Sequence, residues 1–600
     1  MANVDSNPLL RRELPIPFDR VEAAHVEPAV RALLDDARAR RAALAHAELT
    51  WDAVPGTFDR LTEQLDHAIG VAAHLETVAT TPEIRAAYAA IQPSVSEFHS
   101  SVWRDAGIFA ALKAYAATDE ARALGGARRR FLDKTLDDFK RSGADLDDAG
   151  KARLSAIDVE LAQVTLLFSQ NVLDDTNAFE LYVGDRAALA GLTESAIEAA
   201  RESAASKGKP GYRLSLQAPS YVPAMTHLDD RALRERLYRA FNSRAASGPR
   251  DNHALVARIL ELRREKARLL GYAHFADLAT ADRMAKSGAE ARAFVATLRA
   301  RAEPFFRVEN EALAAFRREL EGDAAPPLEA WDVAYYAEKL RRARYDFDEE
   351  ELRPYFALDR VLEGAFDLAH ALYGVTVAPW EGAPTWDPSV RAYALRERDG
   401  SISSRFYVDV FPRETKRDGA WMDGLVTSAG DAAPHCEALV GNFTPPLAGR
   451  PALLTHREVE TTFHEFGHLL HHASSRVPIL SLAGTNVARD FVELPSQIME
   501  NWCWERASLD RFARHHETGA PIPDALFEKM KAARTFRAAN AMMRQLAFAE
   551  LDLALHMEWD GARDPTEMAR DILERHSPTR LPVEHAMAAS FGHLFGNPVG

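Results

Sequence analysis

Cysteine is scarce in this sequence, which has only Cys436 and Cys503 among 600 residues. Secreted domains that depend on disulfides use many paired cysteines, so this number indicates that the chain has no disulfide framework. A cytoplasmic protein is the simplest interpretation, and cytoplasm is the location that we expect.

Basic residues and long apolar runs are also in short supply. Lys and Arg number 73 against 89 Asp and Glu, and the net charge of −16 argues against nucleic acid or an anionic membrane as a partner. No apolar run is long enough to cross a bilayer, and the opening MANVDSNPLLRRELPIPFD lacks the apolar core of a secretory signal. We therefore expect no nucleic-acid partner and no membrane partner.

The sequence is rich in patterns that predict amphipathic helices. Hydrophobic residues make up 47% and charged residues 27%, an ordinary globular mixture. From about residue 21 to 207 apolar residues recur every three or four positions, as in the stripe Leu154, Ile157, Leu161, Val164 and Phe168. The pattern breaks at residues 208–224, where glycine and proline cluster. We predict an N-terminal helical region at residues 1–210 and a second region at residues 225–600.

One stretch of the second region has the pattern of β-structure. Tyr393–Glu397 can pair with Ser404–Val410 across Arg398-Asp399-Gly400, because Asp-Gly is a strong hairpin signal. A further short strand is predicted at Ala438–Phe443. An exposed strand edge can hold an extended peptide through its backbone groups, although a purely structural sheet fits the same pattern.

The run HEFGH at residues 464–468 is the motif that points to chemistry. Positions i and i+4 of a helix lie one turn apart on one face, so the imidazoles of His464 and His468 can bind one metal ion. In this H-E-x-x-H arrangement two histidines hold zinc and the glutamate, here Glu465, is the general base. A chance occurrence is the alternative, and the amphipathic flanks argue against it. Thr455, with Glu458 three residues later, is the predicted N-cap.

A catalytic zinc also needs a third protein ligand and an open position. Since the two cysteines lie elsewhere, the best candidate downstream is Glu493, 29 positions after His464 (493 − 464). Two His and one Glu form a known hydrolytic set for zinc, although cobalt or manganese can occupy similar sites. Glu460, one turn before His464, is predicted to accept a proton from the non-ligating nitrogen of a zinc histidine; a solvated carboxylate is the alternative. Asp490 is a candidate cap for a second helix.

With these residues the chain resembles the thimet oligopeptidase family of zinc peptidases. The specific match is FHEFGHLLHH followed by RDFVELPSQIMENWCWE. Other stretches similar to the family include LGYAHFADLATADRMAKS, WDVAYYAEKLR, LRPYF, FYVDVFPRETKRDGAWMDG and LVGNFTPP. The resemblance covers nearly the whole chain and is strongest from about Leu270 onwards.

The resemblance implies a mainly α, two-lobed, zincin-like metallopeptidase with a deep substrate channel and a small β-sheet near the active site. It also implies endopeptidase action on short oligopeptides, because a narrow channel excludes folded proteins. Carried over, His464, His468 and Glu493 bind one zinc ion, and Glu465 is the base and proton shuttle. The segment Gly441, Asn442 and Phe443 is similar to the family's substrate-binding region. We expect a monomer.

The sequence departs from the family near its C-terminal end. SFGHLFG at residues 590–596 resembles the start of a family segment that continues with a glycine pair and several tyrosines, which hydrogen-bond the oxyanion and the substrate. Here the residues that follow are Asn597-Pro598-Val599-Gly600, and no tyrosine occurs after Tyr407. His593 is retained and is interpreted as a substrate or transition-state contact, with a structural role as the alternative.

Two classes of function therefore stay open from the sequence. The first is a zinc endopeptidase, with reduced activity if its catalytic region is incomplete at the C-terminal end. The second is a catalytically impaired zinc- and peptide-binding protein. Glu465 favours the enzyme, and the absent tyrosines favour the binder. A third alternative, a helical scaffold without peptidase function, would require that the HEFGH run and Glu493 together have no function.

Overall fold

Helices dominate the computed structural model, which describes residues 7–345, 348–430, 433–446 and 449–596. They account for 61% of the chain, beside two small sheets, so the predicted mainly α fold is confirmed. The chain divides into two compact units, Met1–Asp145 with Asp348–Phe527 and Leu146–Phe347 with Glu528–Gly600, in agreement with a two-lobed molecule. The division at residues 1–210 and 225–600 and the substrate channel stay predictions.

The α-helices follow one another along the whole chain. In order they are α1 (Ala23–Leu44), α2 (Pro55–Asp59), α3 (Glu63–Val78), α4 (Pro82–Val102), α5 (Ala106–Ala116), α6 (Asp119–Arg122), α7 (Gly126–Arg141), α8 (Asp148–Ala178), α9 (Glu194–Ala205), α10 (Ala218–His227), α11 (Arg231–Asn242), α12 (His253–Leu269), α13 (Phe275–Thr280), α14 (Gly288–Glu321), α15 (Val333–Tyr345), α16 (Leu358–Tyr373), α17 (His456–Ala473), α18 (Glu493–Glu500), α19 (Arg506–Phe512), α20 (Asp524–Arg534), α21 (Ala538–Met557), α22 (Pro565–Glu574) and α23 (Gly592–Phe595). Short 3-10 helices cover Pro8–Leu10, Phe18–Arg20, Arg186–Leu189, Gly248–Arg250, Glu349–Tyr355, Leu480–Leu482, Asn501–Trp504 and Met587–Ser590. No helix in the described ranges is long and apolar enough to span a bilayer.

Five strands of the first unit form one sheet. The strands of the chain are β1 (Leu181–Val183), β2 (Tyr212–Leu214), β3 (Thr376–Pro379), β4 (Arg391–Arg396), β5 (Ile402–Asp409), β6 (Trp421–Val426) and β7 (His435–Val440). The sheet order is β3-β4-β5-β7-β6, with β5 and β7 parallel and the other neighbours antiparallel. The predicted hairpin is confirmed as β4–β5, and the third predicted strand is β7, displaced by three residues (435 against 438). The edge strands β3 and β6 were not predicted.

The core of the first unit joins residues that are far apart in the sequence. One buried cluster combines α1, α3 and α4 with the sheet, and includes Phe18, Val71, Tyr407 and Val440. Main-chain hydrogen bonds reinforce this packing where the end of α3 meets the loop before β6, at 2.7 and 2.9 Å. The N-terminal helices therefore complete their core only with the segment that contains the sheet and α17.

The second unit has its own cores and a separate two-stranded sheet. The predicted stripe lies on α8, and its members Leu154, Ile157, Leu161 and Phe168 are buried. The last three pack with α12, α21 and α22 in one cluster. The strands β1 and β2 pair antiparallel, with Leu181 opposite Leu214. The apolar periodicity in this region therefore reflects packing.

Candidate metal centre

The helix α17 begins as the sequence predicts. The Thr455 hydroxyl accepts a hydrogen bond from the Glu458 amide at 3.1 Å, and the Glu458 carboxylate accepts one from the Thr455 amide at 2.7 Å. This capping box satisfies two donors that a helix start leaves open. The Glu458 carboxylate also accepts the Thr444 amide at 2.7 Å, which ties the start of α17 to the segment after β7. These hydrogen bonds therefore fix the position at which α17 begins.

The structure brings together the ligand atoms of His464, His468 and Glu493. Glu493 Oε2 lies 3.2 Å from Nε2 of His464 and 3.2 Å from Nε2 of His468. Zinc bonds of about 2.0–2.1 Å at tetrahedral angles separate neighbouring ligand atoms by about 3.3 Å. Both distances from the glutamate oxygen are close to this spacing, and the ligand atoms of the three residues all lie within 4.8 Å of one another, so the residues fit a metal ion.

Glu493 reaches this point because it is the first residue of α18. The helix starts there and not after Asp490, since its N-cap position is held by Val492. Pro495 consequently lies in the first turn, where its missing amide hydrogen costs no helical hydrogen bond. The N-terminal start of α18 thus presents the carboxylate to the two imidazoles.

Gly467 allows α18 to approach α17 closely. A Cβ atom on this residue would lie 2.7 Å from the Cα atom of Ser496 and 2.9 Å from the carbonyl oxygen of Pro495. Carbon atoms do not approach so closely without a shift of the backbone. The glycine inside the HEFGH run therefore sets the distance between the two histidines and the helix that contributes Glu493.

Gly467→Ala is expected to destabilise the fold by about 1–3 kcal/mol, the usual cost of forcing extra atoms into a packed interface. It should also weaken metal binding, because α18 must move away. Thermal unfolding and metal titration measure the two effects. Gly70→Ala, on an exposed position of α3 with no atom within 4 Å of the added Cβ, is the control and should be neutral or slightly stabilising. An equal stability of both variants would contradict the role given to Gly467.

Glu500 holds the other nitrogen of His464. Nδ1 of His464 lies 2.6 Å from Oε1 of Glu500, so Nδ1–H donates to the carboxylate and the lone pair of Nε2 points towards Glu493 and His468. Glu493 and Glu500 are the first and last residues of α18 and, seven positions apart, share one helix face. This i+7 spacing is a sequence signal for Glu500 that our sequence analysis missed.

Glu460 does not occupy the position that we predicted for it. Its Oε1 accepts a hydrogen bond from Nε1 of Trp504 at 2.6 Å, and its Oε2 lies 3.8 Å from Nδ1 of His456. Helical side chains point towards the N-terminus of their helix, so Glu460 reaches back to His456 and not forward to His464. The position predicted for Glu460 is held by Glu500.

Glu465 is buried beside the two histidines without a hydrogen-bond partner of its own. Only 7% of the residue is exposed, and its carboxylate makes no hydrogen bond to any described residue. Burial raises its pKa to about 7, with a further contribution from Glu493 and an opposing one from His464. A bound dication would favour the charged form instead. Glu465 is therefore a carboxylate available for proton transfer.

The segment Gly441, Asn442 and Phe443 directly follows β7. The amides of Gly441 and Phe443 donate to carbonyl groups at the end of β5, at 2.8 and 2.7 Å. The Asn442 side chain donates to two carbonyl groups of the loop at residues 417–419, at 2.9 and 2.8 Å. These contacts hold the loop and the strand end together, and the role of the segment in substrate binding stays a prediction.

His593 belongs to the second unit, on the short helix α23. It is exposed, and its ring centroid lies 6.2 Å from that of Phe591. No hydrogen bond from its side chain occurs within the described ranges. Its role as a substrate contact stays a prediction.

A second group of possible metal ligands, His435, Glu437 and His472, lies where α17 packs on the sheet. All three residues are buried, and Nδ1 of His472 contacts Glu437 at 2.6 Å. The carboxylate also accepts a hydrogen bond from Ser404, and both ring nitrogens of His435 are bonded to main-chain groups at 3.3 and 3.1 Å. Because these donors and acceptors are already used, the group fastens α17 to β5 and β7.

Two models of known protein families match this chain. The family model "Peptidase family M3" matches residues 224–598, and the model "Neurolysin/Thimet oligopeptidase, N-terminal domain" matches residues 30–151. The chain is 38% identical to probable cytosolic oligopeptidase A of Arabidopsis thaliana, over 99% of this chain and 88% of that protein. It is 36% identical to oligopeptidase A of Escherichia coli K12, over 98% and 88%.

Among solved structures, that of a Chlamydophila abortus protein has a TM-score of 0.50 at 13% identity, over 97% of this chain and 86% of that chain. At such low identity the likeness concerns the fold alone. The sequence matches confirm the predicted resemblance to thimet oligopeptidases, including the likeness to bacterial oligopeptidase A.

Proposed function

Because the chain belongs to peptidase family M3 and is thus a peptide-hydrolysing metallopeptidase, we propose that it is a zinc-dependent endopeptidase for short oligopeptides. The observation that carries the proposal is the meeting of His464, His468 and Glu493 next to the buried carboxylate of Glu465. No other side chain of the described ranges is both buried beside these histidines and left with an uncommitted carboxylate.

One metal ion would be held by His464, His468 and Glu493. Two imidazoles and one carboxylate form a ligand set typical of hydrolytic zinc, although cobalt and manganese accept similar sets. Zinc, when bound, supplies Lewis acidity, which makes a water molecule more acidic and polarises a carbonyl group. Burial lowers the pKa of His468, which keeps its imidazole neutral and able to bind a metal ion.

Glu465 would move the protons. Its carboxylate takes a proton from the attacking water and then delivers it to the nitrogen of the leaving amine. Burial of the carboxylate, and its lack of competing hydrogen bonds, leave its oxygens free for this transfer. His593 is our candidate for a substrate contact.

The substrate class rests on the relatives. Both proteins described above carry the name oligopeptidase A, so we propose short peptides as substrates, with Gly441, Asn442 and Phe443 close to the bound chain. A cytoplasmic monomer is proposed as the working form, and the word cytosolic in the name of the Arabidopsis relative supports the location.

Glu500→Gln is expected to lower metal affinity about 10- to 100-fold, the usual effect of removing a charged partner from a ligating histidine. Glutamine keeps the shape and can still accept the Nδ1–H bond, but it loses the charge that makes the imidazole more basic. Metal competition with a chromophoric chelator measures the change.

Glu460→Gln is the control for this variant, because Glu460 bonds Trp504 and not His464. It should keep the metal affinity of the wild-type protein. A larger loss with Glu460→Gln than with Glu500→Gln would reverse the assignment.

Metal removal tests the proposed function directly. Cleavage of a quenched fluorescent peptide of about ten residues should disappear in a chelator and return with one equivalent of zinc per chain. Cobalt or manganese should restore it if the site accepts them. Cleavage that survives complete metal removal would refute the proposal, and stoichiometric zinc with bound but uncleaved peptide would favour the peptide-binding alternative.

A further inference from the structure

The second unit contains a cavity of about 630 Å³ that the metal centre does not use. Part of its wall is aromatic and includes Tyr221 and Phe241, whose stacked rings have centroids 4.1 Å apart. Phe306 and Phe548 also line it. A cavity of this size and character suits a small organic ligand or the end of a peptide with apolar side chains.

The charge of this cavity is opposite to that of the chain. Lys and Arg are outnumbered by Asp and Glu, 73 to 89, yet the described lining contains Arg537 and Arg544 and no acidic residue. Neither arginine forms an ion pair with a described residue. The Arg544 guanidinium is exposed and lies over the ring of Phe548, 5.5 Å from its centroid. The cavity therefore favours an anion beside an apolar group.

Arg537 is half-buried, and no carboxylate of the described chain forms a hydrogen bond or an ion pair with its guanidinium group. Its Nη2 donates to Asn310 at 3.1 Å and to Asn540 at 2.6 Å, whereas its buried Nη1 has no hydrogen-bond partner in the described chain. Burial lowers the pKa of Arg537 and the charge of the nearby Glu309 opposes this shift, but the Glu309 carboxylate accepts its hydrogen bonds from the amides of Ala539 and Asn540 and not from Arg537. A charged N–H group that is removed from water without a hydrogen-bond partner is costly, so an anionic ligand that accepts from Nη1 would stabilise this arrangement.

The backbone of Arg537 supports a functional reason for this position. Its φ of 52° lies in the left-handed region, which a residue with a side chain adopts at some cost. Backbone strain of this kind is concentrated at ligand sites and is kept where the position is useful.

Further donors line the same cavity. Burial raises the pKa of Tyr238 to about 12 and raises that of Tyr221 as well, so both hydroxyl groups keep their hydrogens. The buried Oγ1 of Thr579 has no hydrogen-bond partner within the described ranges. A ligand with several acceptor oxygens would satisfy these groups together with the two arginines.

We propose that this cavity binds the C-terminal end of a peptide, with its carboxylate on Arg537 and Arg544 and its last side chains against the aromatic wall. The C-terminal carboxylate is the one anion that every unmodified peptide has, and the planar guanidinium groups can bind it through paired hydrogen bonds. The choice of a peptide rests on the proposed function, since each cleavage leaves one fragment with a new carboxylate.

Fluorescence anisotropy with the full-length Glu465→Gln protein tests this site without cleavage. The probe is a pentapeptide ending in Leu-Phe, labelled at its N-terminus and prepared with a free or an amidated C-terminus. We expect at least about tenfold tighter binding of the free acid. Arg544→Gln should remove most of this difference.

Two further variants complete the design. Arg301→Gln, at an exposed arginine of α14 outside the cavity lining, should leave the acid preference unchanged. Arg537→Gln should also reduce the preference, and its melting temperature shows whether the variant is folded. Equal affinities for acid and amide, or an unchanged preference in folded Arg537→Gln and Arg544→Gln proteins, would overturn the proposal.

A chelator separates this site from the metal centre. The acid preference should persist without metal, and its loss would place the binding at the metal centre and overturn the inference. Competition by phenylpropanoic acid as strong as that by the peptide would assign the cavity to small carboxylic acids and also overturn it. Absent hydrolysis by the wild-type protein, with acid-selective binding intact, would refute only the proposed function.

Discussion

Glu465→Gln is expected to lower kcat for peptide cleavage by about 100- to 10,000-fold, the range that a positioned general base contributes. Glutamine has nearly the same shape and cannot take a proton from water. Glu465 is 7% exposed and its side chain has no hydrogen-bond partner in the described chain, so its replacement breaks no existing hydrogen bond. The fold should therefore be retained, and KM should change much less than kcat.

The metal content distinguishes loss of the base from loss of the site. Glu465→Gln should keep one zinc per chain, measured by mass spectrometry of the metal, because His464, His468 and Glu493 are intact. Glu465→Asp, which keeps a carboxylate one methylene shorter, should recover part of the activity. A Glu465→Gln protein with full zinc and near wild-type kcat would remove Glu465 from the mechanism.

Glu493→Gln is expected to weaken zinc binding by more than about 100-fold, beyond the 10- to 100-fold effect typical of residues that only support a ligand. The change removes the negative charge that both Nε2 atoms face at 3.2 Å. About half of the Glu493 side chain is exposed, so the stability of the metal-free protein should be unaffected. Activity measured against free zinc concentration should shift to higher zinc by the same factor.

Glu517→Gln is the matched control, because this exposed glutamate of the same unit has no side-chain contact in the described chain. It should bind zinc like the wild-type protein. The expected order of zinc affinity is wild type, then Glu500→Gln, then Glu493→Gln. Wild-type zinc affinity in Glu493→Gln would show that the third ligand is a different residue.

The arrangement of the candidate metal centre is the part of the molecule that follows most directly from local sequence rules. An i, i+4 pair of histidines on a capped helix has one possible geometry, so His464 and His468 follow from local rules. Glu500 could not be assigned in the same way, because its role depends on where α18 begins, and Asp490 suggested a different start. Glu460 was misplaced because the prediction used only the face of the helix and not the N-terminal direction in which helical side chains lean.

Elements defined by long-range contacts were harder to predict. The strands β4 and β5 have a local turn signal in Asp399-Gly400, but β3 and β6 pair through residues that no short motif connects. Residues 1–145 and 348–527 form one unit. Local periodicity cannot predict this pairing, because an amphipathic helix packs equally well on a neighbouring or on a distant segment. The cavity of the second unit is also formed by residues that are far apart in the sequence. Tyr221 and Arg537, for example, are separated by 316 positions (537 − 221).

The discontinuous first unit also affects how the protein is made. Its N-terminal part ends at Asp145, and its remaining part is complete only at Phe527, 382 residues later (527 − 145). At about 5–20 residues per second a ribosome needs roughly 20–75 s for that interval. The faces of α1, α3 and α4 that later pack on the sheet remain uncovered until its last strand, β7, which ends at Val440, has been made. The nascent chain is thus exposed to aggregation before the metal-binding helix exists, and a chaperone that covers these helices would raise the yield of native protein.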